Sequence, residues 1–168
     1  GNGIAQVCAA AGLKVIMQDI GEAQVERGLD TIATSLDRMI KKEKITDADK
    51  QAALANVSTA TSLEAMTETD IVIEAATEDE SIKRKIFQDL CPKLKKDALV
   101  ATNTSSISIT RLAATTDRPE HFIGMHFMNP VPRMELVELI RGIATEDDMF
   151  SIARTFVESL GKITAVSE

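Results

Sequence analysis

The sequence predicts an α/β fold: a doubly wound, mainly parallel sheet with helices on its faces. Three observations predict it. Short apolar runs alternate with segments of helical period, the pattern of βαβ units rather than of a bundle or a sandwich. Polar residues gather just after those runs, at Asp19, Glu78, Asn103, Ser105, His126 and Asn129. The chain also opens on a glycine-started helix of small residues, followed by a short strand and an acid.

Residues 1–12, from Gly1-Asn2-Gly3 to Gly12, have the small apolar face of a helix packed closely on a sheet. Gly12 stops it, because glycine readily takes the left-handed conformation of a helix end. Residues 13–17 read as a strand ending near Asp19. Helix, strand and acid together form the downstream part of a dinucleotide fingerprint. In that pattern the backbone near Gly1 approaches a pyrophosphate at the helix N-terminus, and Asp19 bonds the ribose hydroxyls. Only the last glycine of a G-x-G-x-x-G could be present, as Gly1; the strand before it and the first two glycines are absent, and the chain has no initiator Met. The competing reading makes Gly1 and Gly3 loop residues and Asp19 a strand-end acid.

Residues 22–44 carry Val25, Leu29, Ile32, Leu36, Met39 and Ile40 at helical spacing. Thr46 or Asp47 can cap a second helix over residues 49–54. This pair exceeds what a minimal crossover needs, so it is expected to project from the sheet. Its Lys41-Lys42-Glu43-Lys44 end is either a solvated face near a helix C-terminus or a binding site for the phosphates of an extended ligand. Residues 57–59, 71–76 and 98–101 read as strands, with a helix opening at Glu78-Asp79-Glu80 and running to Leu94. Residues 108–114 form a short helix. Residues 122–127 and 136–140 are strands, 146–160 an amphipathic helix and 163–166 a final strand. The later strands can include antiparallel ones.

Composition narrows the function classes. With 168 residues, 44% hydrophobic and 27% charged, the chain can bury one real core. A net charge of -7 argues against a nucleic-acid surface. No apolar run reaches the ~18–20 residues that cross a bilayer, and no signal-peptide pattern is present. Cys8 and Cys91 lie far apart in sequence and suggest neither a disulfide framework nor a metal site, so a reducing, cytoplasmic compartment is expected.

The chemistry concentrates in Met125-His126-Phe127-Met128-Asn129-Pro130-Val131-Pro132 and the following Leu136-Val137-Glu138. A buried strand delivers His126 to its far end, and Asn129 with two prolines breaks the strand. Histidine suits a general base near neutrality. A carboxylate on the neighbouring strand can orient it and stabilise its imidazolium. The alternative is a satisfied strand-end histidine. In open α/β sheets ligands bind outside the carboxyl ends of the strands, where these polar residues collect.

At this level of detail the sequence resembles the 3-hydroxyacyl-CoA dehydrogenase family. The matching residues are Asn103-Thr104-Ser105-Ser106, the His126–Pro132 run, Leu136-Val137-Glu138, Gly1-Asn2-Gly3-Ile4-Ala5-Gln6-Val7 and Ile73-Glu74-Ala75-Ala76-Thr77-Glu78. The resemblance spans the whole chain and is nearest the 3-hydroxybutyryl-CoA branch. It implies a Rossmann-like NAD-binding domain and oxidation of an (S)-3-hydroxyacyl-CoA, short-chain such as 3-hydroxybutyryl-CoA, to the 3-oxoacyl-CoA. It makes His126 the general base, Glu138 its partner and Ser105 the contact to the substrate oxygen. Gly1, Asp19, Glu78, Lys83, Asn103, Ser105 and Asn129 would bind NAD, and Ser35 and Lys42 the CoA moiety. No metal, nucleic acid or membrane is implied.

The resemblance also implies a homodimer or larger assembly, formed through a C-terminal helical domain that has no counterpart after Glu168. Arg133 and Glu135 stand where a small apolar residue and a lysine are expected. Two other readings remain: a related dehydrogenase for a free hydroxy acid, and a non-catalytic nucleotide-binding module. With the first strand absent, the sheet is expected to be interrupted at its centre and the 168-residue chain to be inactive alone.

Overall fold

The structure is a computed structural model that describes residues 1–168. It contains an α/β arrangement of six helices and seven strands. The strands form two sheets rather than one. Strands β1 (Val15–Gln18) and β2 (Val57–Ala60) pair in parallel. Strands β3 (Ile71–Glu74), β4 (Leu99–Thr102), β5 (Phe122–Phe127), β6 (Leu136–Arg141) and β7 (Ile163–Ser167) pair in chain order. All these pairings are parallel except β5 with β6. Strand β1 pairs only with β2, and β3 pairs only with β4. The chain divides into two structural units accordingly.

The first unit holds residues 1–65 and 130–133. Helix α1 (Asn2–Ala10) ends as expected, with Gly12 at φ +90°. Helices α2 (Glu22–Lys41) and α3 (Asp47–Ala55) make the expected pair. Thr46 caps α3 in a reciprocal box: its hydroxyl accepts from the Asp49 N–H while the Asp49 carboxylate accepts from the Thr46 N–H. The pair is rooted on α1, because Ile32 and Leu36 of α2 and Ala53 of α3 bury together with Ala5.

The second unit holds residues 66–129 and 134–168 and the larger core. Strand β4 is buried along its whole length. Phe87 of α4 (Glu80–Leu90) meets Phe122 of β5 edge-to-face, with ring centroids 4.9 Å apart. Gly124 of β5 must lack a side chain, since a Cβ there would lie 2.8 Å from Ile109 Cδ1 and 2.9 Å from Ile140 Cβ. Ile109 belongs to α5 (Ile109–Ala113). Helix α6 (Asp147–Ser159) buries Ala153 and Val157.

Boundaries differ from expectation at identifiable residues. Strand β1 begins at Val15, two residues late, because the helix-ending turn at Gly12 consumes Leu13, whose N–H bonds Cys8 O. Helix α4 begins at Glu80, because the Asp79 side chain accepts from the Ile82 N–H and makes Asp79 the N-cap. It ends at Leu90, and Cys91–Lys93 form a 3₁₀ turn around Pro92, which has no N–H to continue the ladder. No helix is long and apolar enough to cross a membrane.

Candidate active site

The second unit carries the dyad. In the antiparallel β5–β6 pair, His126 stands directly opposite Glu138. Opposed residues point to the same face, so register alone brings imidazole and carboxylate together. His126 Nδ1 lies 3.2 Å from Glu138 Oε2, with the ring side chain 21% and the carboxylate side chain 42% exposed. The pair is therefore open to solvent on one side and held on rigid strands on the other. With Nδ1–H donated to the carboxylate, Nε2 keeps its lone pair free.

Beside β4, the loop that carries Ser105 is held by Glu78. One carboxylate oxygen accepts from the Thr104 hydroxyl. The other accepts from the Ser105 N–H at 3.2 Å and more loosely from its hydroxyl at 3.4 Å. Partial burial pushes the Glu78 carboxyl up. The bonds from Thr104 and Ser105, with the Lys83 charge, outweigh this and hold it below its ordinary value. Glu78 is available for this because α4 starts beyond it.

Lys83 is fully buried. Its ammonium donates to Glu74 Oε2 at 2.7 Å and to Ala76 O at 3.3 Å. Glu74 Oε1 accepts from the Thr102 hydroxyl at 2.6 Å, and Oε2 also accepts from the Ala76 N–H at 2.7 Å. This closed network lies at the carboxyl ends of β3 and β4. The resemblance gives Lys83 to the cofactor, but its full burial on Glu74 leaves it no face for one; the sequence signal for this pairing is an acid ending an otherwise apolar Ile71-Val72-Ile73 strand, which demands a buried partner. Asn103 uses its side-chain oxygen to accept from the Phe127 N–H at 2.8 Å. Asn129 is exposed in the turn beyond β5.

The first unit carries the nucleotide-type features. Asp19 is exposed just past β1, with Oδ1 accepting from the Ile20 N–H at 2.7 Å and the rest of its carboxylate available. Gly1 is the N-cap of α1; no side chain caps this end and no acid lies in its first turn. A helix N-terminus with no side-chain cap and no acid in its first turn fits a pyrophosphate, and an exposed strand-end carboxylate fits ribose hydroxyls. The donor set therefore suits a dinucleotide. Ser35 accepts from Gln6 Nε2 at 3.0 Å, and Lys42 is exposed at the C-terminal end of α2.

Fold and site together define a dinucleotide-binding α/β domain that carries a histidine–carboxylate pair. The family described as 3-hydroxyacyl-CoA dehydrogenase, NAD binding domain, matches residues 1–168. The chain belongs to this family, and NAD is the family's cofactor. It is 54% identical to a 3-hydroxybutyryl-CoA dehydrogenase of Bradyrhizobium diazoefficiens, over 100% of this chain and 57% of that protein. A probable 3-hydroxybutyryl-CoA dehydrogenase of Deinococcus radiodurans is 43% identical, over 96% of this chain and 58% of that protein. The crystal structure of (S)-3-hydroxybutyryl-CoA dehydrogenase from Ralstonia eutropha superimposes with a TM-score of 0.96 at 52% identity, covering 100% of this chain and 60% of that one. The chain thus spans somewhat over half the length of these relatives.

Proposed function

We propose that this chain is the NAD-binding part of an enzyme that oxidises (S)-3-hydroxyacyl-CoA, with a short acyl group such as 3-hydroxybutyryl, to the 3-oxoacyl-CoA. The observation that carries the reading is the register-matched His126–Glu138 pair at the carboxyl end of β5. The substrate hydroxyl is a very weak acid and needs a base in place as its C–H bond breaks. His126 Nε2 takes the hydroxyl proton. Glu138 compensates the imidazolium that results. Bound NAD would supply the acceptor for the hydride of that C–H bond. In the reverse direction the imidazolium returns the proton to the ketone oxygen.

Ser105 serves as the second contact to that oxygen. Its hydroxyl is held only at 3.4 Å by Glu78 and can turn to the substrate. Gly1, Asp19, Glu78 and Asn129 are proposed on the cofactor side; Lys83, buried on Glu74, supports the loop beside them, and the Asn103 side-chain oxygen is taken by the Phe127 N–H. Lys42 and Ser35 are proposed for the CoA nucleotide. The names of the relatives support the substrate class.

The test is His126→Gln in the complete enzyme. Turnover should fall by ~10²–10⁴-fold, the usual cost of losing a general base, while NAD affinity stays within about twofold, as expected of a residue that acts in the transition state only. Near-normal turnover of 3-hydroxybutyryl-CoA by the variant would reject His126 as the base.

A further inference from the structure

The geometry points to Asn103 as the residue that positions His126, a role that rests on the dehydrogenase reading above for its catalytic meaning. The parallel ladder between β4 and β5 has its last register pair at Thr102 and Gly124. His126 and Phe127 lie beyond it. On the β6 side they are held by the antiparallel register with Glu138 and Val137. On the β4 side the strand stops at Thr102, and the Asn103 N–H faces the other neighbour, bonding Glu74 O of β3 at 2.9 Å. The Asn103 side chain takes over, its Oδ1 accepting from the Phe127 N–H at 2.8 Å. A side-chain amide thus stands in for the next carbonyl of the ladder, one residue past the base.

Both ends of this bond are anchored. Phe127 is buried at 1% exposure. Asn103 follows Thr102, whose hydroxyl is fixed on the buried Glu74–Lys83 pair. A continuous set of hydrogen bonds therefore runs from Lys83 through Glu74 and the Thr102–Asn103 step to Phe127, the neighbour of His126. The strand end carrying His126 is gripped from both flanks, by β6 through the sheet and by β4 through one amide. The ring can then keep Nδ1 on Glu138 without the backbone fraying into the proline-containing turn that follows.

The test compares Asn103→Leu, which has the shape and no acceptor, with Asn103→Asp, which restores an acceptor at Oδ1. Both are made in the complete enzyme. Asn103→Leu should speed deuterium exchange of the Phe127 amide about tenfold, the size of one lost hydrogen bond. It should also lower kcat for 3-hydroxybutyryl-CoA while leaving the Kd for NAD within about twofold, since positioning acts on the chemical step. Asn103→Asp should recover amide protection and part of the lost kcat. Unchanged Phe127 protection in Asn103→Leu would overturn the proposal. So would equal weakening of NAD binding in both variants with protection intact, which would make Asn103 a direct cofactor ligand. If Asn103→Leu does not fold, Asn103→Ala carries the same comparison. Should the wild-type enzyme fail to oxidise hydroxyacyl-CoA, the exchange measurement still decides the clamp and only the functional reading falls.

Discussion

His126 and Glu138 are separated by a turn and two prolines, yet strand register places them face to face. In the proposed reaction this geometry makes Glu138 the electrostatic partner for the charge that His126 would acquire. A hydrogen bond to a charged group contributes ~1.5–3 kcal/mol, so Glu138→Gln should lower kcat about 10–100-fold. Burst-free steady-state kinetics with saturating NAD would show it, and an unchanged kcat would dissolve the pair. Asp19 gives a second residue-level expectation. As the proposed ribose ligand, its exposed carboxylate would accept bonds from the hydroxyls and repel a 2′-phosphate, and no arginine follows it nearby, only Ile20-Gly21 before α2. Catalytic efficiency with NAD should exceed that with NADP, and Asp19→Asn should narrow the gap. Comparable efficiency of the wild type with both cofactors would refute this role.

At the scale of elements, the late start of α4 has a functional consequence. Because Asp79 caps the helix, Glu78 stays outside it and its carboxylate organises the Thr104–Ser105 loop. Its carboxyl is held below the ordinary 4.5, so the folded protein binds that proton more weakly than the unfolded chain. The stabilising contribution is therefore fully present above that ordinary value and is lost as pH falls through the lowered folded one. The difference in unfolding midpoint between wild type and Glu78→Gln should be constant near neutrality and shrink in acid. A difference that grows as pH falls would reverse the assignment.

This element also marks where sequence reading stops. Apolar runs located the strands, and Thr46 and Gly12 located helix ends, because each of those signals is local. The acidic cluster Glu78-Asp79-Glu80 was legible as a helix start, but which of its acids would cap was decided by side-chain geometry. His126 and Glu138 were legible because strand ends and paired carboxyl chemistry leave a pattern. The Asn103–Phe127 bond was not, since its partners lie 24 residues apart and the backbone of Phe127 has no sequence signature.

For the whole molecule, the two sheets differ in how well they are enclosed. Parallel strands are ordinarily buried on both faces within a larger sheet. Strand β4 meets that condition, whereas every residue of β1 is only half-buried. Unit one has a buried cluster of Ala5, Ile32, Leu36 and Ala53, covered by the partly exposed Val15, Met17, Met39, Ile45 and Leu54, and β1 and β3 each present an edge with no strand partner. Open edges of this kind template association. The 168-residue chain by itself should therefore open first in its first unit. Amides of Val15–Gln18 and Val57–Ala60 should exchange through sub-global opening, while those of Leu99–Thr102 and Phe122–Phe127 persist to global unfolding. The same chain should self-associate as its concentration rises and show no oxidation of 3-hydroxybutyryl-CoA, since a loosened first unit cannot keep Asp19 and the α1 N-terminus in place. Hydrogen exchange with light scattering and an NADH assay on one preparation would test all three points. Equal protection of both sheets in a monomeric, active sample would show that unit one is as firmly held as unit two and that its open edges carry no penalty.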